Sequence, residues 1–171
     1  VRYGSAGAGG TGHLPFIQLA SDHQLQLIHV PYRGAQAAYQ ALLGGRVAVF
    51  FDLSSTARVQ VNAGTVKPLA LSGAERNPMH PDVPTILESG VAPLDLESWF
   101  GYFVPKRTPL DIQERLRGEL AKVIAQPDLQ DIFRKAGGKP MLLNAEQTRA
   151  LVKRDVERWT KLVKDIGIKA E

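Results

Sequence analysis

The chain has 171 residues, 44% hydrophobic and 22% charged, which suits one ordinary domain with an apolar core. Its net charge of +4 is spread among acidic neighbours with no basic stripe interleaved with aromatics, so no nucleic-acid partner is expected. It has no cysteine, which excludes disulfides, thiolate metal sites and a cysteine nucleophile, and no apolar run reaches membrane-spanning length.

Residues 1–14, VRYGSAGAGGTGHL, read as a short strand, a glycine-rich turn and the first turn of a helix. Thr11 is the expected N-cap, and Pro15 suits a first turn, where backbone N–H groups lack partners anyway. A glycine turn feeding a helix N-terminus is an anion site, because free N–H groups converge there and the helix dipole favours negative charge. Gly7-Ala8-Gly9-Gly10-Thr11-Gly12 also fits the dinucleotide pattern G-x-G-x-x-G. That pattern needs an acidic residue at the end of the next strand, residues 25–30, and the chain there reads His29-Val30-Pro31-Tyr32-Arg33. Arg33 would instead suit a 2′-phosphate. The glycines therefore leave three readings open: an anion site, an NADP site, or a plain tight turn.

Residues 31–34 form a turn, and residues 35–43 a helix stopped by Gly44-Gly45. Residues 46–51 are nearly all apolar, as in a central parallel strand. Asp52 follows, and Ser54-Ser55-Thr56 precede a helix to Asn62. Residues 66–71 form another expected strand, ended by Ser72. This alternation predicts an α/β unit with a parallel sheet. Functional groups in such sheets gather at the carboxyl ends of strands, here Ser5, Pro31-Tyr32, Asp52 and Ser72. The same residues also suit plain caps and turns.

Residues 75–93 read as a proline-rich loop and residues 94–104 as an extended crossing, with Trp99, Phe100, Tyr102 and Phe103. Thr108-Pro109 open a helix with Ile112, Leu116, Leu120 and Ile124 on one face. Pro127 opens another, ended by Gly137-Gly138, and residues 139–143 suit a short strand. Residues 145–166 form a long amphipathic helix with a stripe of Val152, Val156, Trp159, Val163 and Ile166. The stripe needs a partner surface, and no further sheet follows Pro105 to supply one. The four histidines (His13, His23, His29, His80) show no metal-ligand spacing. No hydroxyl has a local base beside it, so neither a cofactor nor a catalytic set is expected.

The motifs Tyr3-Gly4-Ser5-Ala6-Gly7-Ala8-Gly9 with His13-Leu14, His29-Val30-Pro31-Tyr32-Arg33-Gly34, Leu42-Leu43-Gly44-Gly45, Phe51-Asp52, Pro81-Asp82-Val83-Pro84-Thr85, Ser98-Trp99-Phe100-Gly101, Thr108-Pro109 and Gly167-Ile168-Lys169 stand in one order along the whole chain. In that order the chain resembles the Bug, or TctC-like, receptors, the extracytoplasmic solute-binding proteins of tripartite tricarboxylate transporters. The resemblance implies a periplasmic, non-enzymatic receptor whose α/β lobes close on a small carboxylate: a dicarboxylate, an amino acid or an aromatic acid. It implies a ligand-binding set of Ser5, Ala6, Gly7, Gly9, Gly10, Thr11, His13, Tyr32 and Asp52. Membrane transporter subunits are the implied partners.

The resemblance covers about the second half of such a receptor, which makes the chain a truncated half-receptor. Residues 1–98 correspond to the second, ligand-binding lobe. Residues 99–171 correspond to a crossover strand and helices that pack on the other lobe in the family. Those helices are expected to fold back on residues 1–98, to rest on a separately encoded lobe, or, as the favoured case, to self-associate into a homo-oligomer. Gly10 and Gly12 stand where the family often has hydroxyl side chains. An NADP-binding enzyme fragment and a ligand-free self-association module remain the alternatives.

Overall fold

The protein is described here by a computed structural model over residues 1–91, 96 and 98–167. Strand β1 (Arg2–Ser5), helix α1 (Leu14–Asp22), strand β2 (Ile28–Pro31), helix α2 (Ala35–Leu43), strand β3 (Val49–Phe50) and helix α3 (Ser54–Asn62) alternate along the first part of the chain. The three strands are parallel in the order β2-β1-β3. Tyr3 is level with His29 on one side and with Val49 on the other.

Alternation along β1 sends Tyr3 and Ser5 to one face of the sheet and Gly4 to the other. Helix α1 covers the first face, where Phe16 lies 4.6 Å from the Tyr3 ring, centroid to centroid. Helix α2 covers the second, with Tyr39 edge-on to Phe50 at 5.0 Å. Ala38 and Ala41 are wholly buried there, and their small side chains let α2 sit close to the sheet. The chain thus passes from β1 to β2 over one face and from β2 to β3 over the other. Its winding reverses between β1 and β3, and in open parallel sheets ligands bind in the crevice at the carboxyl ends beside such a reversal.

Three expected strands are altered. Residues 46–51 shrink to β3 at a sheet edge, because the N–H groups of Arg46 and Val47 turn back to Ala41 O and complete the exit from α2. Residues 25–30 shift to Ile28–Pro31, because Leu25 N–H bonds Ala20 O at the end of α1. Residues 66–71 form no strand. They meet the proline-rich loop at a single parallel bridge, Leu71 with Thr85, and a strand needs a continuous neighbour to build a ladder. Residues 98–104 and 139–143 are likewise irregular. The expectations for Pro93, Leu94 and Ile168-Lys169 lie outside the described residues.

Helices α4 (Leu110–Ile124), α5 (Pro127–Lys135) and α6 (Ala145–Ile166) follow the predicted spans. Asn144 and Gln147 form a reciprocal capping box at the start of α6, each side chain bonding the other's backbone N–H at 2.9 Å. Helix α6 lies on α1, and Trp159 and Leu19 pack against the buried pair Ile86 and Leu96. The Trp99 indole N–H donates to Asp155 Oδ2 at 2.6 Å. Of the partners expected for its stripe, α6 thus uses residues 1–98 in part, while Val156 stays 58% exposed. Helices α3, α4, α5 and α6 contain no buried residue. Between them and residues 66–72 lies an open hollow of about 3270 Å³.

Asn144→Ala removes the side-chain acceptor of the Gln147 N–H and leaves the reciprocal bond from the Asn144 backbone N–H, and it is expected to cost about 1 kcal/mol. Urea unfolding followed by circular dichroism checks this, and an unchanged midpoint would show that α6 does not depend on its cap.

Candidate functional site

The site is built at the carboxyl end of β1. Ser5 is fully buried, and its hydroxyl organises the turn that follows. Ser5 Oγ donates to Gly7 O at 2.9 Å and accepts the Gly7 N–H at 3.2 Å. His29 Nε2 lies 2.6 Å from the same oxygen. A hydroxyl donates once and accepts twice, so His29 completes the set by donating from Nε2.

Beyond Gly7 the loop is held from below by His13, which is 7% exposed. The Gly9 N–H donates to His13 Nδ1 at 2.9 Å. An acceptor Nδ1 makes this imidazole neutral, with its proton on Nε2. The rings of His13 and His29 stack at 3.8 Å with 14° between planes, and Tyr3 stacks on His29 at 5.0 Å. Burial pushes His29 down to about 4, helped by the neighbouring His13. Burial also lowers His13 and raises Tyr3 to about 12. The pair is therefore an uncharged platform beneath the loop.

Two glycines are required by geometry. Gly9 has φ of +70°, which side-chain-bearing residues rarely adopt. A Cβ on Gly12 would lie 2.5 Å from Phe51 O and 3.6 Å from Ser5 Cβ, so at this position a hydroxyl side chain has no room. Thr11 is exposed and among the described residues its side chain caps nothing, contrary to its expected role. Helix α1 begins at Leu14 with His13 at its N-cap position, because Gly10 O takes the N–H groups of both His13 and Leu14 and closes the turn later. Among the described residues nothing accepts from the N–H groups of Ala8, Gly10, Thr11 or Gly12. Ala6, Ala8, Gly9, Gly10 and Thr11 are exposed, so an open array of donors fronts α1.

Tyr32 adjoins this array. Its N–H bonds Ser5 O at 3.0 Å, and its ring lies 3.6 Å from where a Cβ on Gly4 would stand. Asp52 adjoins it through Phe51. Asp52 Oδ2 accepts from the Tyr39 hydroxyl at 2.9 Å and from Thr56 Oγ1 at 2.6 Å. The carboxylate holds the Tyr39 hydroxyl well above the usual phenol range, after burial as the larger cause. Asp52 thus ties α2 to the first turn of α3, and sequence reasoning missed the two hydroxyls it uses. It also missed His29, whose role depends on the register of β2 against β1. Arg33 is exposed and shares no described contact with the loop. Among the described residues no group of three metal-ligating side chains comes together. The large hollow includes Asp52 but none of residues 5–13. At about 3270 Å³ it far exceeds a small-molecule pocket, so the donor array is the better candidate.

Fold and site together define an α/β unit with a loop of unpaired backbone N–H groups at the end of its central strand. Residues 1–168 match the family described as Tripartite tricarboxylate transporter family receptor, and the chain belongs to it. One curated relative, the UPF0065 protein of the tcbD-tcbE intergenic region of Pseudomonas sp. (strain P51), is 36% identical over 171 residues, which are 99% of this chain and 51% of that protein. A solved R. palustris protein with adipate superposes with a TM-score of 0.89 at 29% identity, covering 98% of this chain and 56% of that one. MatC from Rhodopseudomonas palustris, with bound malate, gives 0.78 at 27% identity, covering 95% and 56%. The chain spans about half the length of most of the curated relatives it matches. No helix among the described residues is long and apolar enough to cross a membrane.

Buried His13 and half-buried His29 predict an acid-sensitive fold. The unfolded chain binds a proton on each histidine near pH 6.5, before folded His29 does at about 4. Stability is thus fully present above about pH 6.5 and falls as pH drops toward about 4. Thermal melts across this range should show the fall, and His29→Gln, which keeps a donor for Ser5, should flatten it. An equally steep fall in the variant would place the proton uptake elsewhere.

Proposed function

We propose that this chain is the carboxylate-capturing lobe of a solute-binding receptor. The observation that carries the reading is the array of unpaired N–H groups at Ala8, Gly10, Thr11 and Gly12, set before α1 at the winding reversal of the sheet. Such an array favours an anion by direct hydrogen bonds and by the helix dipole. Ser5, Ala6, Gly7, Gly9, Gly10, Thr11 and Tyr32 form the receiving wall, and His13 supports it from below. Asp52, which accepts from Tyr39 and Thr56, lines the neighbouring edge and suits a hydroxyl or amine of the solute. The relatives solved with adipate and malate support a small dicarboxylate or hydroxy acid as solute.

In this reading residues 1–98 receive the solute, and residues 99–171 form a separate segment that serves as the contact to further protein. The exposed Phe100, Tyr102 and Phe103 and the helices α4 and α5 suit a second copy or the remainder of a longer receptor. Family membership supports a periplasmic setting, non-enzymatic capture and delivery to membrane transporter subunits.

A single lobe leaves half of the solute in water, so millimolar affinity for succinate is expected, about −4 kcal/mol. Gly9→Val forces a β-branched residue into a left-handed backbone and should weaken binding by about tenfold or more, a loss above ~1.4 kcal/mol. Calorimetric or NMR titration checks this, with NADP as the control ligand. Unchanged succinate affinity in Gly9→Val would contradict the assigned loop, and tighter binding of NADP than of succinate would favour the nucleotide reading.

A further inference from the structure

We propose that the stacked His13 and His29 pair is a proton-operated latch on the carboxylate loop, closed when both rings are neutral and opened by one proton. The inference rests on the carboxylate reading of the loop given above, and it assigns the two histidines as positioning residues.

The geometry is specific about which atoms matter. His13 Nδ1 must be bare to accept the Gly9 N–H at 2.9 Å. A proton placed there turns the acceptor into a donor facing another donor, and the bond to Gly9 is lost. His29 Nε2 must carry a hydrogen to reach Ser5 Oγ at 2.6 Å, because that oxygen already donates to Gly7 O. The two histidines therefore hold successive points of one loop, Gly9 directly and Gly7 through Ser5. Their rings are only 3.8 Å apart, so a charge on one opposes a charge on the other. Burial holds His29 down to about 4, with the neighbouring His13 adding to it, and the proton that opens the loop is the one taken by His13 Nδ1.

The surroundings offer the charged form little help. From β1 the pair meets Tyr3, a phenol raised to about 12 and therefore neutral. From α1 it meets no titratable group, only Phe16 through Tyr3. From β2 it meets only its own member, His29. Among the described residues no carboxylate, lysine or arginine forms a hydrogen bond or ion pair with either ring. A proton on the pair is thus accommodated by opening the loop toward water. Release of Gly9 disorders the N–H groups that follow it, and the carboxylate leaves with them.

The test uses the full chain labelled with nitrogen-15. Ring spectra near pH 7.5 should show His13 and His29 as neutral tautomers with hydrogen on Nε2. On acidification the Gly9 amide should shift in step with His13, and the Gly7 amide at lower pH with His29. His13→Asn preserves an acceptor for Gly9 without titrating. Between about pH 7 and about pH 4.5, wild type should lose about tenfold more succinate affinity than this variant, whose own loss reports the titration of succinate. A hydrogen on His13 Nδ1 near neutral pH, or a Gly9 amide indifferent to His13 titration, would overturn the latch. Equal losses in wild type and His13→Asn would overturn it too. Should succinate move no loop amide at any pH, the carboxylate reading fails, while the ligand-free Gly9 titration still judges the latch.

Discussion

Everything at the loop depends on one buried hydroxyl. Ser5 ends the central strand with no exposed surface, and its oxygen makes three hydrogen bonds that exhaust its capacity. Two of them fold the chain back at Gly7, which starts the glycine turn. The third reaches β2, and it exists because Tyr3 is level with His29 across the ladder. A slip of β2 by one residue would send His29 to the opposite face and leave Ser5 one partner short. On the far side, Gly12 approaches Phe51 O so closely that no Cβ fits, which locks the turn to β3. The donor array is thus held by both neighbours of β1.

The same arrangement separates two features that share an apolar protein. The loop is small, polar and exposed at Ala8, Gly10 and Thr11, with Gly12 buried behind them, and its support is a neutral aromatic stack. The hollow beside α4, α5 and α6 is large and lined by apolar groups such as Leu120, Phe133 and Val152. A small carboxylate cannot fill it. A protein surface can, since helices with no buried residue leave their apolar stripes unmatched. On the proposed reading, capture of solute and contact with further protein fall on different parts of the chain, joined by α6 on α1 and by Trp99 bonding Asp155.

Much of this was legible in the sequence. The helix over residues 35–43 was readable from its flanking glycines, and that over residues 145–166 from its stripe. The glycine turn between β1 and α1 was readable from its run of glycines ahead of a helix. What escaped reading was long-range. The strand expected at residues 66–71 is mostly apolar but has no continuous neighbour to pair with, and pairing is not written in local pattern. Thr11 has good capping chemistry, yet the carbonyl of Gly10 closed the turn first. His29 looked like one more strand residue until the register brought it under Ser5. Asp52 was visible as a strand end, but Tyr39 and Thr56 had to be folded around it before its restraint appeared.

The measurement that bears most directly on the account is an amide NMR titration of the wild-type chain with succinate. The account predicts shifts concentrated at Ala8, Gly10, Thr11 and Gly12, whose N–H groups are unpaired, with smaller shifts at Tyr32 and none along α4 or α5. Shifts confined to residues lining the hollow, with the glycine loop unmoved, would contradict it.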